Sequence, residues 1–359
     1  MATILIKDKL RQSVEAASGG LQTIVYTSKG QPCFMNVVRK FDLSETDPSL
    51  TGTHPAFIID DKEYAQILIG TYQSRVNNGE MISQPYAVPT RSQMTQAYAI
   101  QTARASGRGF HAMTNAEWAA IQCLAWKNQQ YPKGANWTGY DITDPSLSGT
   151  RTDGLPTGTN DGGGLIYTGS GPTEFRHNLT YNGISDLNGN ANEHITGVRC
   201  VFGELQILAN NNAAGATHDL LDTSAEWKAI SGVDGSLIAP AGNGTTLYSV
   251  KLVSGLTASS VDYTLTLSGT QFQKITILNS TGNVVSAAAI KRLQILGLYP
   301  FLTTSSEFFL INTGRIGYAQ RGGHWNNGNA SGLNALSLAN PSDNAGGNIT
   351  SRLAYYPLS

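Results

Sequence analysis

The sequence predicts an α+β chain with long loops and an insertion, preceded by a small N-terminal β-rich element. Three observations predict it. Short β-branched and aromatic runs such as Val198-Arg-Cys-Val-Phe recur between turn residues. Two segments, 92–106 and 114–130, combine helical spacing of apolar residues with N-cap signals. Residues 133–192 are rich in Gly, Asn, Thr, Asp and Pro, and loops that long in a compact domain are usually functional or held by something.

Residues 1–50 read as a separate element. Ile4-Leu-Ile is strand-like, Lys7 to Ala17 suits a short helix, and Gly19-Gly20 stops it. Ile24-Val-Tyr and Phe34 to Val38 are strand-like, and Asp47 to Gly52 is a turn-rich linker. In the second unit, 51–359, Phe57-Ile-Ile and Ala65 to Tyr72 read as a hairpin turning at Asp60-Asp61. Ser92 is the expected cap of a helix whose apolar face is Met94, Ala97, Tyr98 and Ala105, with Gly107 as its stop. Thr114 and Glu117 form a capping box, so a helix follows with Trp118, Ile121 and Ala125 in the core. After the long loops come strands at Val198 to Phe202 and Leu205 to Leu208. Residues 215–297 read as an inserted subdomain: a helical turn at Trp227, strands at 247–253, 263–267 and 274–278, and a helix at 285–296. Glu307 to Asn312 and Arg315 to Gln320 are strands leading into the C-terminal segment.

Composition excludes several functions. The 24 Lys and Arg residues nearly balance 25 Asp and Glu and are scattered, so no nucleic-acid footprint is present. Cys33, Cys123 and Cys200 have neither disulfide-framework nor metal-ligand spacing and read as small buried hydrophobes. No stretch is long and apolar enough to cross a membrane. The opening residues lack a signal-peptide core, which predicts a cytoplasmic product that reaches the outside by lysis, by a non-classical export route or inside a particle. Asp161-Gly-Gly-Gly lacks the Lys-Ser/Thr of a phosphate cradle. His111, His177, His194 and His218 show no metal-ligand spacing, and His177 and His194 read as buttresses of the loop at 182–190. Asp186, Asn188 and Asn190 alternate either as Asx-turns or as part of a calcium loop, so no cofactor is expected, with calcium as the open alternative.

The C-terminal segment is the most informative. From Gly322 to Ser351 the only charged side chain is Asp343 and the only aromatic is Trp325, while Asn recurs at 326, 327, 329, 334, 340, 344 and 348. It closes on Leu353-Ala-Tyr-Tyr, which reads as a buried strand and not as the end of a flexible tail. The segment therefore reads as a surface of small polar side chains held by fixed anchors, as a binding face requires.

Five motifs occur in order: His54-Pro-Ala-Phe, Met113-Thr-Asn-Ala-Glu-Trp, His177 with Gly183-Ile-Ser-Asp-Leu-Asn-Gly-Asn, Val198-Arg-Cys-Val-Phe-Gly-Glu-Leu-Gln-Ile, and Arg321-Gly-Gly-His-Trp-Asn-Asn-Gly through Asn348-Ile-Thr-Ser-Arg-Leu-Ala. From His54 onward this order resembles the formylglycine-generating-enzyme branch of the C-type lectin fold. More closely, it resembles the variable proteins of diversity-generating retroelements, including phage tropism determinants. The resemblance implies a C-type lectin-like domain whose variable ligand-binding region is 315–359. It makes Arg321, Gly323, Trp325 and Gly328 scaffold and points Leu336, Leu338 and Leu353 inward. The outward, replaceable positions would be His324, Asn326, Asn327, Asn329, Ser331, Asn334, Ser337, Asn340 and Asn344. Trp137 and Tyr140 would border the face or pack its loop. Residues 1–50 would supply assembly or trimer contacts.

The function implied is non-enzymatic recognition of a protein or glycan receptor on a host cell, by a homo-oligomer on a virion or phage tail, with neither nucleic acid nor membrane insertion. Asn codons suit this reading, because mutagenesis at their two adenines never creates a stop, although Asn also favours turns. The cysteine-dependent oxidase of the same branch needs cysteines after the Gly-Gly-x-Trp motif, and Asn326 to Arg352 contains none. The alternatives are a structural virion protein with a fixed face and a sulfatase-modifying-type enzyme relative with changed active residues. Replacing His324, Asn326, Asn327, Asn329 and Asn334 together is expected to alter target choice with little change in melting temperature.

Overall fold

The computed structural model describes residues 8–254, 262–278, 282–301 and 306–358, so the strand expected at Ile4-Leu-Ile lies outside the described residues. The chain is mixed α+β. Its helices are α1 (Lys9–Ser18), α2 (Gln96–Ala105), α3 (Asn115–Asn128) and α4 (Ala287–Ile295). The principal strands are β1 (Gln22–Tyr26), β2 (Pro32–Arg39), β3 (Gln66–Gly70), β4 (Phe110–Ala112), β5 (Asn192–Val201), β6 (Glu204–Leu208) and β7 (Lys251–Ser254). They continue with β8 (Thr264–Leu267), β9 (Ile275–Ile277), β10 (Phe309–Ile311), β11 (Ile316–Gly322), β12 (Gly332–Asn340), β13 (Ile349–Ser351) and β14 (Leu353–Tyr355).

Two sheets organise the molecule. The smaller has the order β1-β2-β3-β14-β4, so the chain's last strand lies inside a sheet begun by its first two. Segments 1–50 and 51–359 thus share a sheet, with Arg39 opposite Gln66. The larger runs β9-β8-β7-β6-β5-β11-β12-β10, with β13 parallel to β5. Segment 215–297 extends this sheet and contributes Leu252, Leu265, Phe272, Ala289 and Leu293 to the main core, which also holds Trp118, Ile121 and Leu336.

Local signals placed most elements. The capping box at Thr114 is formed in both directions, and Trp118 is fully buried with its indole N–H donating to the Leu333 carbonyl at 2.7 Å. Gly19 ends α1 in the left-handed conformation. Other expectations are corrected. Helix α2 is capped by Thr95, not Ser92, and it buries Gln96, Ala99, Thr102 and Ala103 while Ala97 and Ala105 are exposed. Trp227 begins a strand, Trp227–Ile230, because pairing with β6 and the Arg199 guanidinium 4.2 Å above its ring override the local helical pattern. Ile58–Ile59 pairs with Lys62–Glu63 across left-handed Asp60 and Asp61, whereas β3 turns away to pair with β2 and β14.

The two sheets meet at Arg352. Residues 349–351 lie parallel to β5, and one residue later the chain enters the smaller sheet. The Arg352 side chain, fully buried, donates from Nε to Glu193 Oε2 at 2.8 Å and from Nη2 to Glu193 Oε1 at 2.5 Å. Its other contacts are the carbonyls of Gly70 and Ser185, and Gln73 donates to Glu193 Oε1. Removing one partner of such a pair strands a buried charge. Arg352→Met is therefore expected to lower unfolding free energy by about 3–5 kcal/mol. Adding Glu193→Leu should recover much of the loss in urea titrations.

Histidines contribute to the acid response with either sign. Burial pushes His54, His177 and His194 down to about 4. Below about 6.5 the unfolded chain binds protons that the folded chain refuses, so their contribution to stability falls as pH drops and flattens near the folded value. His218 has the opposite sign: burial works against its charge, but hydrogen bonds to Glu226 and Asp60 raise it overall. Urea midpoints measured across that pH window should fall less steeply for His194→Asn than for the parent chain.

Candidate functional site

The C-terminal segment and the loop after α3 enclose a polar cleft of about 500 Å³. Asn329, Ser331 and Asn334 line one wall together with Ser306 and Glu307, and Gln129, Tyr131, Lys133, Asn136, Asp141 and Asn188 line the other. Backbone contacts join the walls. Gly328 N–H donates to the Asn136 carbonyl at 2.9 Å, Thr138 N–H donates to the Trp325 carbonyl at 2.9 Å, and Trp137 bridges to Asn326. Trp137 thus borders the segment, the outcome left open by the sequence.

The loop wall is built by Asp141, which sequence reasoning passed over, and by Asn188, which it read as an Asx-turn or calcium-loop residue. Asp141 is buried and accepts from Gly134 N–H at 3.0 Å and from Asn136 Nδ2 at 3.3 Å. The available signal was Asp141-Ile-Thr143, an Asx-turn pattern whose Thr143 N–H does donate to Asp141 Oδ1. Asn188 Nδ2 holds the Pro132 carbonyl at 2.9 Å. Asp186 Oδ2 accepts from Gly169 N–H, and Asn190 spans Ile166 and Gln73. The Asp186, Asn188 and Asn190 side chains tie three different segments instead of converging, and no cluster of three or more metal-ligating acidic, His or Cys side chains occurs among the described residues.

The opposite wall divides the expected residues. Asn326 and Asn329 are exposed. His324, Asn327, Asn334, Asn340 and Asn344 are half-buried, and Ser331 and Ser337 are buried. The serines correct the outward assignment. Ser331 donates to the His324 carbonyl at 3.2 Å and packs against Gly323, while Ser337 lies in β12 between β11 and β10, with both strand edges paired. Asn327 Oδ1 accepts from His324 N–H at 2.8 Å and closes the turn, and Asn340 Nδ2 donates to Gln320 at 3.1 Å. Asn334 is held three ways: Nδ2 donates to Glu307 Oε2 at 2.5 Å, its N–H donates to Glu307 Oε1, and Gln122 Nε2 donates to its Oδ1 at 3.0 Å. The Asn344 carbonyl accepts a hydrogen bond from His194 Nε2 at 2.9 Å.

The expected scaffold residues are structural. Arg321 is fully buried, donates to Asn115 Oδ1 at 2.8 Å and to the Gly297 carbonyl at 2.9 Å, and burial pushes it down to about 9. Gly323 has φ of 77°, and a Cβ there would sit 2.3 Å from Ser331 Oγ. Trp325 is only half-buried, with its indole N–H on the Gly162 carbonyl at 3.3 Å and the Arg91 guanidinium 5.8 Å from the ring. Leu336, Leu338 and Leu353 are buried.

The arrangement can form hydrogen bonds with a ligand. Burial pushes the thiols of Cys33, Cys123 and Cys200 up to about 12, and none of them lines the cleft. No helix among the described residues is long and apolar enough to cross a membrane. Comparison with known protein families finds none that matches, and no curated protein matches the chain.

Thermal melts of single variants should separate the two kinds of asparagine. Asn326→Ala and Asn329→Ala are expected to stay within about 0.5 kcal/mol of the parent. Asn334→Ala should lose about 1–3 kcal/mol, because it removes the side-chain hydrogen bonds to Glu307 and Gln122.

Proposed function

We propose that the chain is a non-catalytic receptor-binding protein of C-type lectin-like class whose ligand face is the polar cleft with its Asn326 and Asn329 rim. One observation carries this reading: exposed amides sit on a turn that buried and half-buried groups hold in place. Arg321, Gly323, Asn327 and Asn334 fix the backbone, while Asn326 and Asn329 face solvent. A fixed backbone presenting adaptable polar side chains limits the ordering cost of binding. The mixed lining of amides, hydroxyls, Lys133, Asp141 and Glu307 suits a polar protein or glycan surface.

In this reading the protein acts on a virion or phage tail as a homo-oligomer, with multivalency compensating for modest affinity per site. Retroelement diversification of the face is part of the same proposal. Its genomic mark is a near-copy of the segment's coding sequence, differing at adenines, beside a reverse transcriptase gene.

The decisive experiment replaces only the free positions. Asn326→Tyr with Asn329→Asp is expected to change adsorption to a panel of host cells at least tenfold while leaving the melting temperature within a few degrees. Unchanged adsorption with an intact fold would favour a structural virion protein with a fixed face.

A further inference from the structure

His218 stands between two carboxylates that belong to different parts of the chain. Its Nε2 lies 2.5 Å from Asp60 Oδ1, at the left-handed turn between Ile58–Ile59 and Lys62–Glu63. Its Nδ1 contacts Glu226 Oε2, at the end of the 215–226 loop. The ring packs over Gly215, where a Cβ would sit 2.6 Å from His218 Cδ2. The imidazole is 15% exposed, against 37% for the Glu226 side chain and 60% for that of Asp60, so solvent protons reach the group.

Two carboxylates on one ring fix its charge by geometry. The imidazolium donates from both nitrogens, whereas a neutral imidazole has one N–H and a lone pair on the other nitrogen. Only the charged ring satisfies both contacts; a neutral ring turns its lone pair on one carboxylate. Burial works against the charge, but the bonds to Glu226 and Asp60 raise the group overall. On losing its proton the ring keeps Glu226, which is the better held of the two. The Glu226 carboxylate accepts from Asp219 N–H at 3.1 Å, and its own N–H donates to Ser224 Oγ at 3.2 Å. Asp60 is the more exposed and can turn to water. The other charged groups around the ring have their own neighbours. Arg104 of α2 donates to the Gly215 and His218 carbonyls and faces Asp219, Lys228 faces Glu226, and Tyr356, with Arg108 beside it, lies on the Asp60 side.

We propose that His218 is a proton-operated latch, which holds the 215–226 loop against the 58–63 hairpin when charged and releases it at Asp60 when neutral. The loop carries the outer wall of a cavity of about 300 Å³, with His218 to Asp222 on one side and Ala97, Ile100 and Arg104 of α2 on the other. Its inner edge stays fastened, because Arg199 Nη1 donates to the Asp222 carbonyl at 2.9 Å and the Trp227 indole donates to the Leu221 carbonyl at 3.0 Å. Release therefore loosens one wall of the cavity and leaves the core intact. Since the folded value lies above the unfolded one, the latch contributes fully below about 6.5 and is lost as pH rises through the folded value. The cavity shares no lining residue with the polar cleft, so the latch is independent of the receptor-binding reading.

The test is amide hydrogen exchange of the full chain at about pH 6 and about pH 9, corrected for the intrinsic rate, together with an NMR titration of the His218 ring. Protection of the 216–222 amides should fall about threefold from the lower to the higher pH, while protection in α3 stays constant. The His218 ring should titrate above about 6.5. Asp60→Asn suits the left-handed turn and removes the distal charge, so it should lower the ring's titration point and abolish the pH dependence of the loop. His218→Asn should show the high-pH level of protection at both pH values. The proposal is overturned by equal loop protection at the two pH values, by a ring that titrates at or below its ordinary value, or by an Asp60→Asn chain that keeps the parent's pH dependence.

Discussion

The Glu193–Arg352 pair is the constraint on which the rest of the structure depends. It sits where the chain leaves one sheet for the other, with both side chains fully buried and engaged two to two. Such a pair is a weak source of net stability, because desolvating both ions consumes most of their attraction. Its consequence is geometric. Planar guanidinium and carboxylate groups meet in one orientation, and the remaining donors reach Gly70 and Ser185 only in that orientation. Strand β3 of the smaller sheet, β5 of the larger sheet and the 183–186 loop are thereby fixed to a single point.

From that point the C-terminal segment can be followed backwards. Residues 349–351 lie along β5, and β5 also pairs with β11, which begins the segment. Arg321 anchors this end as Arg352 anchors the other, again fully buried but bound to the Asn115 amide oxygen and the Gly297 carbonyl instead of a carboxylate. A stretch that looks in sequence like a polar tail is thus held at both ends by buried cations. Between them the backbone can stay polar and rich in small residues without losing its shape, because β12 receives its order from β10 and β11 and from Trp118 through the Leu333 carbonyl.

What the sequence disclosed follows from the range of the interactions concerned. Helix α3 was legible because its capping box, helical spacing and core tryptophan all lie within a few residues. The closing strand was legible because an apolar run at the end of a long polar segment gains most by entering a core. Trp227, Ser92 and the Phe57 hairpin were misread for the opposite reason. Strand pairing with β6 and the stacked Arg199 decide the first, Thr95 competes successfully for the cap of the second, and β3 finds β2 and β14 instead of its chain neighbour. At the site, the anchors Arg321 and Gly323 were visible as residue types, whereas Asn188 and Glu307 enter through contacts with residues far away in the chain.

The same contacts bear on why asparagine is so frequent here. Composition alone cannot separate an adenine-rich template from a preference for turns, but position can. Asn327 and Asn334 each perform a structural task that few other side chains fit: one accepts from a backbone N–H three residues back, and the other both donates to Glu307 and accepts from Gln122. Turn and network chemistry account for them without any diversifying process. Asn326 and Asn329 perform no such task with their side chains; Asn326 contributes its N–H to His324 Nδ1 and Asn329 its carbonyl to Ser306. Backbone groups are common to every residue type except proline, so these two positions are where the side chain is unconstrained by the fold. A diversified face would therefore vary at 326 and 329 and stay constant at 327 and 334, and it would be smaller than the count of asparagines suggests.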